Sequence, residues 1–249
     1  MQQKLVALAA LALLASGGAM AQARTAAPEP EYTYSFNAGV VTDYRYRGIS
    51  QTRFDPALQG GADFSHRSGF YLGTWASTIK WIEDGGGDAE VEVDIYGGYK
   101  TSFGDFGVDV GILRYLYPNS SLAVNPDTTE VYVAGTWGPA TLKYSHATTN
   151  LFGFTDSGGS GYLDLSATFD TGFWGLTVTP HVGRQRVRNN SYASYTDWSI
   201  ALGKDFGNGL TATLAYVDTN ANTSPNAYNS PRGRNLGRGG VVLGVKYGF

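Results

Sequence analysis

The sequence predicts an all-β fold, a transmembrane antiparallel β-barrel of about 12 strands, and three observations lead there. Apolar and polar residues alternate with period two along most of the chain, short connections alternate with long ones, and the last strand stops on the aromatic Phe249. A fourth observation closes off the alternative way across a bilayer. Beyond residue 21 no apolar run approaches the roughly 20 residues that a membrane helix needs, and without helices only a closed barrel pairs every backbone group in lipid.

The chain begins MQQKLVALAALALLASGGAMAQA. One basic residue, Lys4, precedes an apolar stretch from Leu5 to Ala15, and Ala19-Met20-Ala21 fits a small-x-small cleavage site. Residues 1–21 therefore read as a signal peptide, with a short buried helix as the alternative. Residues 22–33 read as a flexible leader and 34–249 as the barrel. Without Lys4 there are 17 basic and 21 acidic side chains, a mild excess with no basic stripe, so a nucleic-acid partner is not expected.

The strands follow from the alternation. Tyr34, Phe36, Ala38, Val40, Tyr44 and Tyr46 share one face, with Ser35, Asn37, Gly39, Asp43 and Arg45 on the other. Phe64 alternates with Asp63; Val91, Val93 and Ile95 with Glu90, Glu92 and Asp94; Val108, Val110 and Ile112 with Asp109. Val131 and Val133 oppose Glu130 and Tyr132; Leu142 and Tyr144 oppose Lys143; Leu163 and Leu165 oppose Asp164. Val178 and Val182 oppose His181, Trp198 and Ile200 oppose Asp197, and Leu214 and Tyr216 oppose Thr213. In 70–79 the residues Tyr71, Leu72, Trp75 and Ile79 do not sort cleanly. The final strand puts Val241, Leu243, Val245, Tyr247 and Phe249 on one face and Lys246 on the other.

The connections give an independent check. Those at 66–69, 102–105, 138–139, 171–174 and 206–209 are short; those at 48–56, 83–88, 118–127, 149–160, 189–194 and 219–238 are longer and polar. Short periplasmic turns and long outer loops are the pattern of bacterial barrels, whose even strand number leaves both termini periplasmic. Tyr247 and Phe249 match the terminal aromatic signal expected of a client of the barrel-assembly machinery.

Composition agrees. Gly is 34 of 249 residues, aromatics reach 14% and charged residues only 16%, against about 25% charged and 7% Gly in ordinary domains. There is no cysteine, which excludes disulfides, thiolate metal sites and cysteine nucleophiles.

Asp43-Tyr44-Arg45-Tyr46-Arg47-Gly48-Ile49-Ser50-Gln51-Thr52, then Asp55-Pro56-Ala57-Leu58-Gln59-Gly60-Gly61, Gly69-Phe70-Tyr71-Leu72-Gly73 and Asp94-Ile95-Tyr96-Gly97-Gly98-Tyr99, resemble the TorF-type porin family of proteobacteria. Thr129-Glu130-Val131-Tyr132 leading into Leu142-Lys143-Tyr144-Ser145 fits as well, so the resemblance spans the mature chain. It implies an outer-membrane barrel with a pore function and assigns no catalytic or binding residue.

Function is expected on the inward face. Parity directs Asp43, Arg45, Asp63, Glu90, Glu92, Asp94, Lys100, Asp109, Glu130, Lys143, Asp164, Asp197 and Lys246 into the lumen, nine acids to four bases. One reading is a pore passing small hydrophilic solutes with a modest preference for cations, as acidic rings select. The other is a lumen plugged by paired charges, a non-conducting barrel acting in adhesion or envelope structure. The row Glu90, Glu92 and Asp94 suggests cation or calcium binding or, more simply, pairing with Arg45 and Arg47; neither a metal nor another cofactor is expected. Arg114, Arg184, Arg186 and Arg188 continue apolar faces past the lipid band, where guanidinium groups suit lipopolysaccharide phosphates. Tyr44, Tyr46, Trp137, Phe173, Trp174, Tyr216, Tyr247 and Phe249 are expected to anchor the barrel in outer-membrane lipid. An enzyme is not expected. A hydrolase would need a base near its nucleophile, and Ser145 and His146, adjacent on a strand, point opposite ways. Only His181, inward, is left to meet a serine from a neighbouring strand.

Overall fold

The period-two segments form twelve strands, and each pairs with both of its neighbours (Tyr32–Val41, β1; Ala57–His66, β2; Phe70–Thr78, β3; Val91–Phe103, β4; Phe106–Leu116, β5; Thr128–Trp137, β6). The second half continues in the same way (Ala140–Ala147, β7; Gly161–Ala167, β8; Leu176–Arg186, β9; Tyr195–Gly207, β10; Leu210–Thr219, β11; Gly240–Gly248, β12). The computed structural model describes residues 30–221 and 227–249, so the expected signal peptide and most of the leader lie outside the described residues. β1 starts at Tyr32, two residues before the expected barrel boundary.

All neighbouring strands run antiparallel, and β12 returns to β1 with Ala38 opposite Tyr247, which closes the sheet. Closure removes every open edge, so the ladder satisfies its own backbone groups. β8 is interrupted at Thr168 and resumes as Phe169–Asp170, which still pairs with β9. Connections alternate as the sequence predicts. The turns at 67–69, 104–105, 138–139 and 208–209 are tight, whereas residues 42–56, 79–90, 117–127, 148–160, 187–194 and 220–239 form six larger loops at the opposite end. β1 begins and β12 ends at the turn end.

The outward face is apolar and exposed: Leu58, Leu72, Ile112, Val133, Leu142, Leu165, Ile200 and Leu243 each show between 46% and 67% of their surface. A water-soluble barrel would turn this set inward; hydrocarbon is the solvent that suits it. Aromatics gather at the turn end of the same face, among them Phe103, Trp137, Phe173, Trp174, Tyr247 and Phe249, with Trp198 and Tyr216 nearer the loops.

The unsorted segment 70–79 becomes β3, with Phe70 and Leu72 outward and Tyr71 and Trp75 inward. Its pattern is blurred because the interior itself accepts large aromatics. Glycines make the room for them. Gly73 lies opposite Tyr96 and Gly111 opposite Tyr132. A Cβ on Gly73 would meet the Tyr96 ring at 2.4 Å, so the ring lies across a strand surface that only glycine leaves free.

Candidate functional site: the barrel interior and the loop that enters it

The first loop, residues 42–56, overturns part of the expected inward face. Alternation carries on to Tyr46 in the sequence, yet β1 ends at Val41. The chain then turns into the barrel and makes a small hairpin, with Arg45 and Tyr46 paired to Ser50 and Ile49. Arg47 and Gly48 turn this hairpin with φ of 46° and 81°, the two positive φ values of a type I′ connection. Gly48 is needed twice over, since a Cβ there would also meet Thr219 Cγ2 at 2.4 Å. Asp43 and Arg45 are thus buried within a folded-in loop, not on a strand of the barrel wall, and pair with each other. Tyr44 and Tyr46 are no lipid anchors: Tyr44 is 7% exposed, and Tyr46 packs beside it inside the barrel.

The hairpin reaches across the bore. At its tip Arg47 donates to Glu130 Oε2 on β6 at 2.7 Å and to Gln185 Oε1 on β9 at 2.7 Å, with its guanidinium 4.2 Å from the Tyr162 ring centroid of β8. Burial opposes the charge on Arg47, but the Glu130 carboxylate together with the Tyr46 and Tyr115 hydroxyls around it holds the guanidinium well above its ordinary pKa. The Tyr46 hydroxyl meets that of Tyr115 on β5 at 2.7 Å. Tyr44 donates to Glu92 Oε1 on β4 at 2.6 Å, and Tyr117 donates to the other Glu92 oxygen at 2.6 Å. Tyr162 donates to both oxygens of Asp197, at 3.0 and 3.1 Å. Glu92, Glu130 and Asp197 are 1–2% exposed, so the loop end of the lumen is filled.

Toward the turn end the interior is polar and partly exposed. Asp63 accepts from Tyr96 at 2.6 Å, and Asp109 from Tyr71 at 2.6 Å. Lys100 lies 5.7 Å from the Tyr71 ring centroid and Lys143 4.0 Å from that of Tyr132. Lys246 is half-buried on the inward face of β12. Here Asp63, Asp109 and Asp164 face Lys100, Lys143 and Lys246, three against three. The acid excess read from the sequence therefore sits almost wholly in the filled half.

Glu90 departs from its expected place. It precedes β4 and is exposed at the loop end, so the acidic row shortens to Glu92 and Asp94. Among the described residues no group of three or more His, Asp or Glu is placed to hold a metal ion. His181 has serines directly opposite on both neighbouring strands, Ser166 and Ser199. Its two ring nitrogens face carboxylates instead, Nε2 at 3.1 Å from Asp164 and Nδ1 at 3.7 Å from Asp197.

On the outer face, Arg114 is held by Thr129 at 2.8 Å and Asp127 at 3.4 Å, and Arg184 by Thr196 at 3.1 Å. Arg186 is exposed at the end of β9, whereas Arg188 lies past the strand and donates to the Gly158 carbonyl of the fourth loop at 3.0 Å. Sequence reasoning missed Tyr44, Tyr115, Tyr117 and Tyr162 as interior donors. Only the Arg-Gly pair at 47–48 signalled a turn there.

An apolar outside, a polar inside and one loop folded into the bore define a porin-like β-barrel. The Gcw_chp family, described as bacterial proteins of unknown function, matches residues 25–249, and the chain belongs to it. The match carries this name and not the TorF-type name that the motifs suggested. Among solved structures, "KdgM porin" is similar at 9% identity and a TM-score of 0.56, covering 86% of this chain and 99% of that one. A second structure, "KdgM porin in complex with disordered oligogalacturonate", gives the same values. The NanC porin is 14% identical with a TM-score of 0.54, at 86% and 99% coverage. No curated protein matches the chain by sequence.

Proposed function

We propose that the chain is an outer-membrane porin-like channel for passive diffusion of small hydrophilic solutes, narrowed at its loop end by residues 42–56. The observation that carries this is the polar, partly exposed lumen at the turn end, with Asp63, Lys100, Asp109, Lys143, Asp164 and Lys246 inside a barrel whose outside is apolar. A uniformly packed structural barrel has no use for such a lumen. The TorF-type motifs and the porin neighbours support the same reading. With the loops outside, both termini are periplasmic and the protein reaches the outer membrane through a cleaved signal peptide.

A modest cation preference belongs to the reading, but it depends on the first loop. The turn-end charges balance, so selectivity must come from Glu92, Asp94 and Asp197 in a state where the loop exposes them. Tyr247 and Phe249, exposed at the end of the last strand, serve the barrel-assembly machinery. Outward Arg114, Arg184 and Arg186, with Arg188 at the loop base, contact lipopolysaccharide. Replacing all four with Gln is expected to weaken lipopolysaccharide binding, and unchanged binding contradicts the assignment. The role is a channel and no catalytic step is assigned to it, in keeping with His181 lying between two aspartates.

A second reading, a non-conducting barrel with an adhesive or structural role, is favoured by one observation, the filled loop end. Single-channel recordings in planar bilayers separate the two. Discrete conductance steps from folded protein are expected. Their absence gives the second reading, and a cation preference that survives Glu92→Gln, Asp94→Asn and Asp197→Asn together removes the selectivity claim.

A further inference from the structure

The loop end also carries arginines that neither the filled bore nor the proposed channel employs. Three guanidinium groups stand over the ring of Phe54: Arg45 at 4.9 Å from its centroid, Arg234 at 4.5 Å and Arg238 at 4.5 Å. A ring has two faces, so at least two of these cations share one. Arg45 is committed elsewhere, bound to Asp43 and donating Nη1 to the carbonyls of Gly48 at 2.8 Å and Arg238 at 3.0 Å. Arg53, the residue before Phe54, is ion-paired to Glu83 and Asp84.

Arg234 and Arg238 are different. Both are exposed, and among the described residues neither forms an ion pair. Arg234 Nη1 donates to the Arg53 carbonyl at 3.2 Å. The stretch 222–226 of the same loop contains no Asp or Glu that would neutralise them. Two like charges held against one small ring repel, and contact with the ring offsets part of this. An oxyanion between them offsets the rest, since two planar forks match phosphate or carboxylate geometry.

The platform itself is built and fixed. Arg53 and Phe54 both adopt left-handed backbone, φ 58° and 71°, a conformation that non-glycine residues keep only where the surroundings impose it. The Phe54 N–H donates to Ser50 Oγ at 2.9 Å, and the ring packs on Ile49, Tyr195, Ala221 and Leu236. Tyr195 is buried at the top of β10 with the parity of inward Asp197. The platform therefore stands over the bore, within the ring of loops and away from the lipid-facing wall.

We propose that Arg234 and Arg238, stacked on Phe54 and backed by Arg45, bind the phosphate or carboxylate groups of a soluble anionic solute arriving at the loop end of the barrel. This goes beyond the channel reading. Binding is read at equilibrium without conduction, so either claim can fail while the other stands.

The test uses full-length folded protein in zwitterionic detergent, titrated calorimetrically with inorganic pyrophosphate and with citrate at low ionic strength. Saturable binding that weakens with added salt is expected. It should be about tenfold weaker or more in an Arg234→Gln, Arg238→Gln double variant, from the loss of charge-assisted hydrogen bonds, and unchanged in Arg67→Gln, exposed in a turn at the other end of the barrel. Both arginines are exposed, so the variants should fold; Arg238→Lys, which keeps the charge, should retain part of the affinity. Equal affinity in the double variant, or no binding of either anion by the wild type, overturns the proposal. If neither anion binds while capture of lipid A micelles depends on Arg234 and Arg238, the occupant is a lipid headgroup and the soluble-solute assignment is overturned.

Discussion

Toward the turn end, Asp63, Asp109 and Asp164 each take a hydrogen bond from a tyrosine or an imidazole and remain partly exposed. At the loop end Glu92, Glu130 and Asp197 have similar donors but are sealed from water. The two sets occupy the same face of one sheet. What separates them is the hairpin tipped by Arg47 and Gly48, which brings its own polar partners into the bore. An identical carboxylate is thus a lumen-lining group at one end and half of a buried ion pair at the other, and only a loop decides which.

The largest expected effect comes from breaking the sealed half alone. Arg47→Ala leaves Glu130 charged and without its ion-pair partner in a buried setting, a loss of about 3–5 kcal/mol in urea denaturation of the micelle-bound barrel. Arg47→Leu combined with Glu130→Leu should regain most of that. If the double variant is no more stable than Arg47→Ala, the pair is not what the hairpin tip rests on. Gly48→Ala comes next, at about 1–3 kcal/mol, from a left-handed backbone and a contact with Thr219 and Asp197. Tyr44→Phe removes one of the two donors to Glu92 and should lower stability by about 1–3 kcal/mol in the same assay. At the turn end Lys100→Met should change stability by about 1 kcal/mol or less, because this lysine is partly exposed and its contact with the Tyr71 ring is long, at 5.7 Å. An effect there as large as that of Arg47→Ala would erase the distinction between the two halves.

Much of the fold is legible in the sequence because a barrel wall obeys one local rule. Residues such as Leu142, Lys143 and Tyr144 each announce a face, and the lengths of 138–139 and 149–160 announce an end. The interior is less legible, since its rules are long-range. Tyr46 keeps the parity of β1 although the strand has ended at Val41, and nothing local reveals that the chain then folds inward. Glu90 keeps the parity of Glu92 yet stands outside the strand. Arg47 and Glu130 are 83 residues apart, so their pairing emerges only once the sheet has closed. The aromatics on the inner wall, Tyr71, Trp75, Tyr96 and Tyr132, blur the alternation of their strands, and only the pairing of strands shows that a glycine opposite each makes room for it.

On the proposed reading, residues 42–56 restrict a lumen that would otherwise conduct. Single-channel conductance in planar bilayers, compared between the wild type and a variant in which 43–52 is replaced by a short Gly-Ser linker, tests it most directly. A conductance several-fold larger in the variant, with stronger cation preference as Glu92, Asp94 and Asp197 come into contact with the lumen, is the predicted result. Equal conductance in the two proteins, or silence from both when folded, would contradict it.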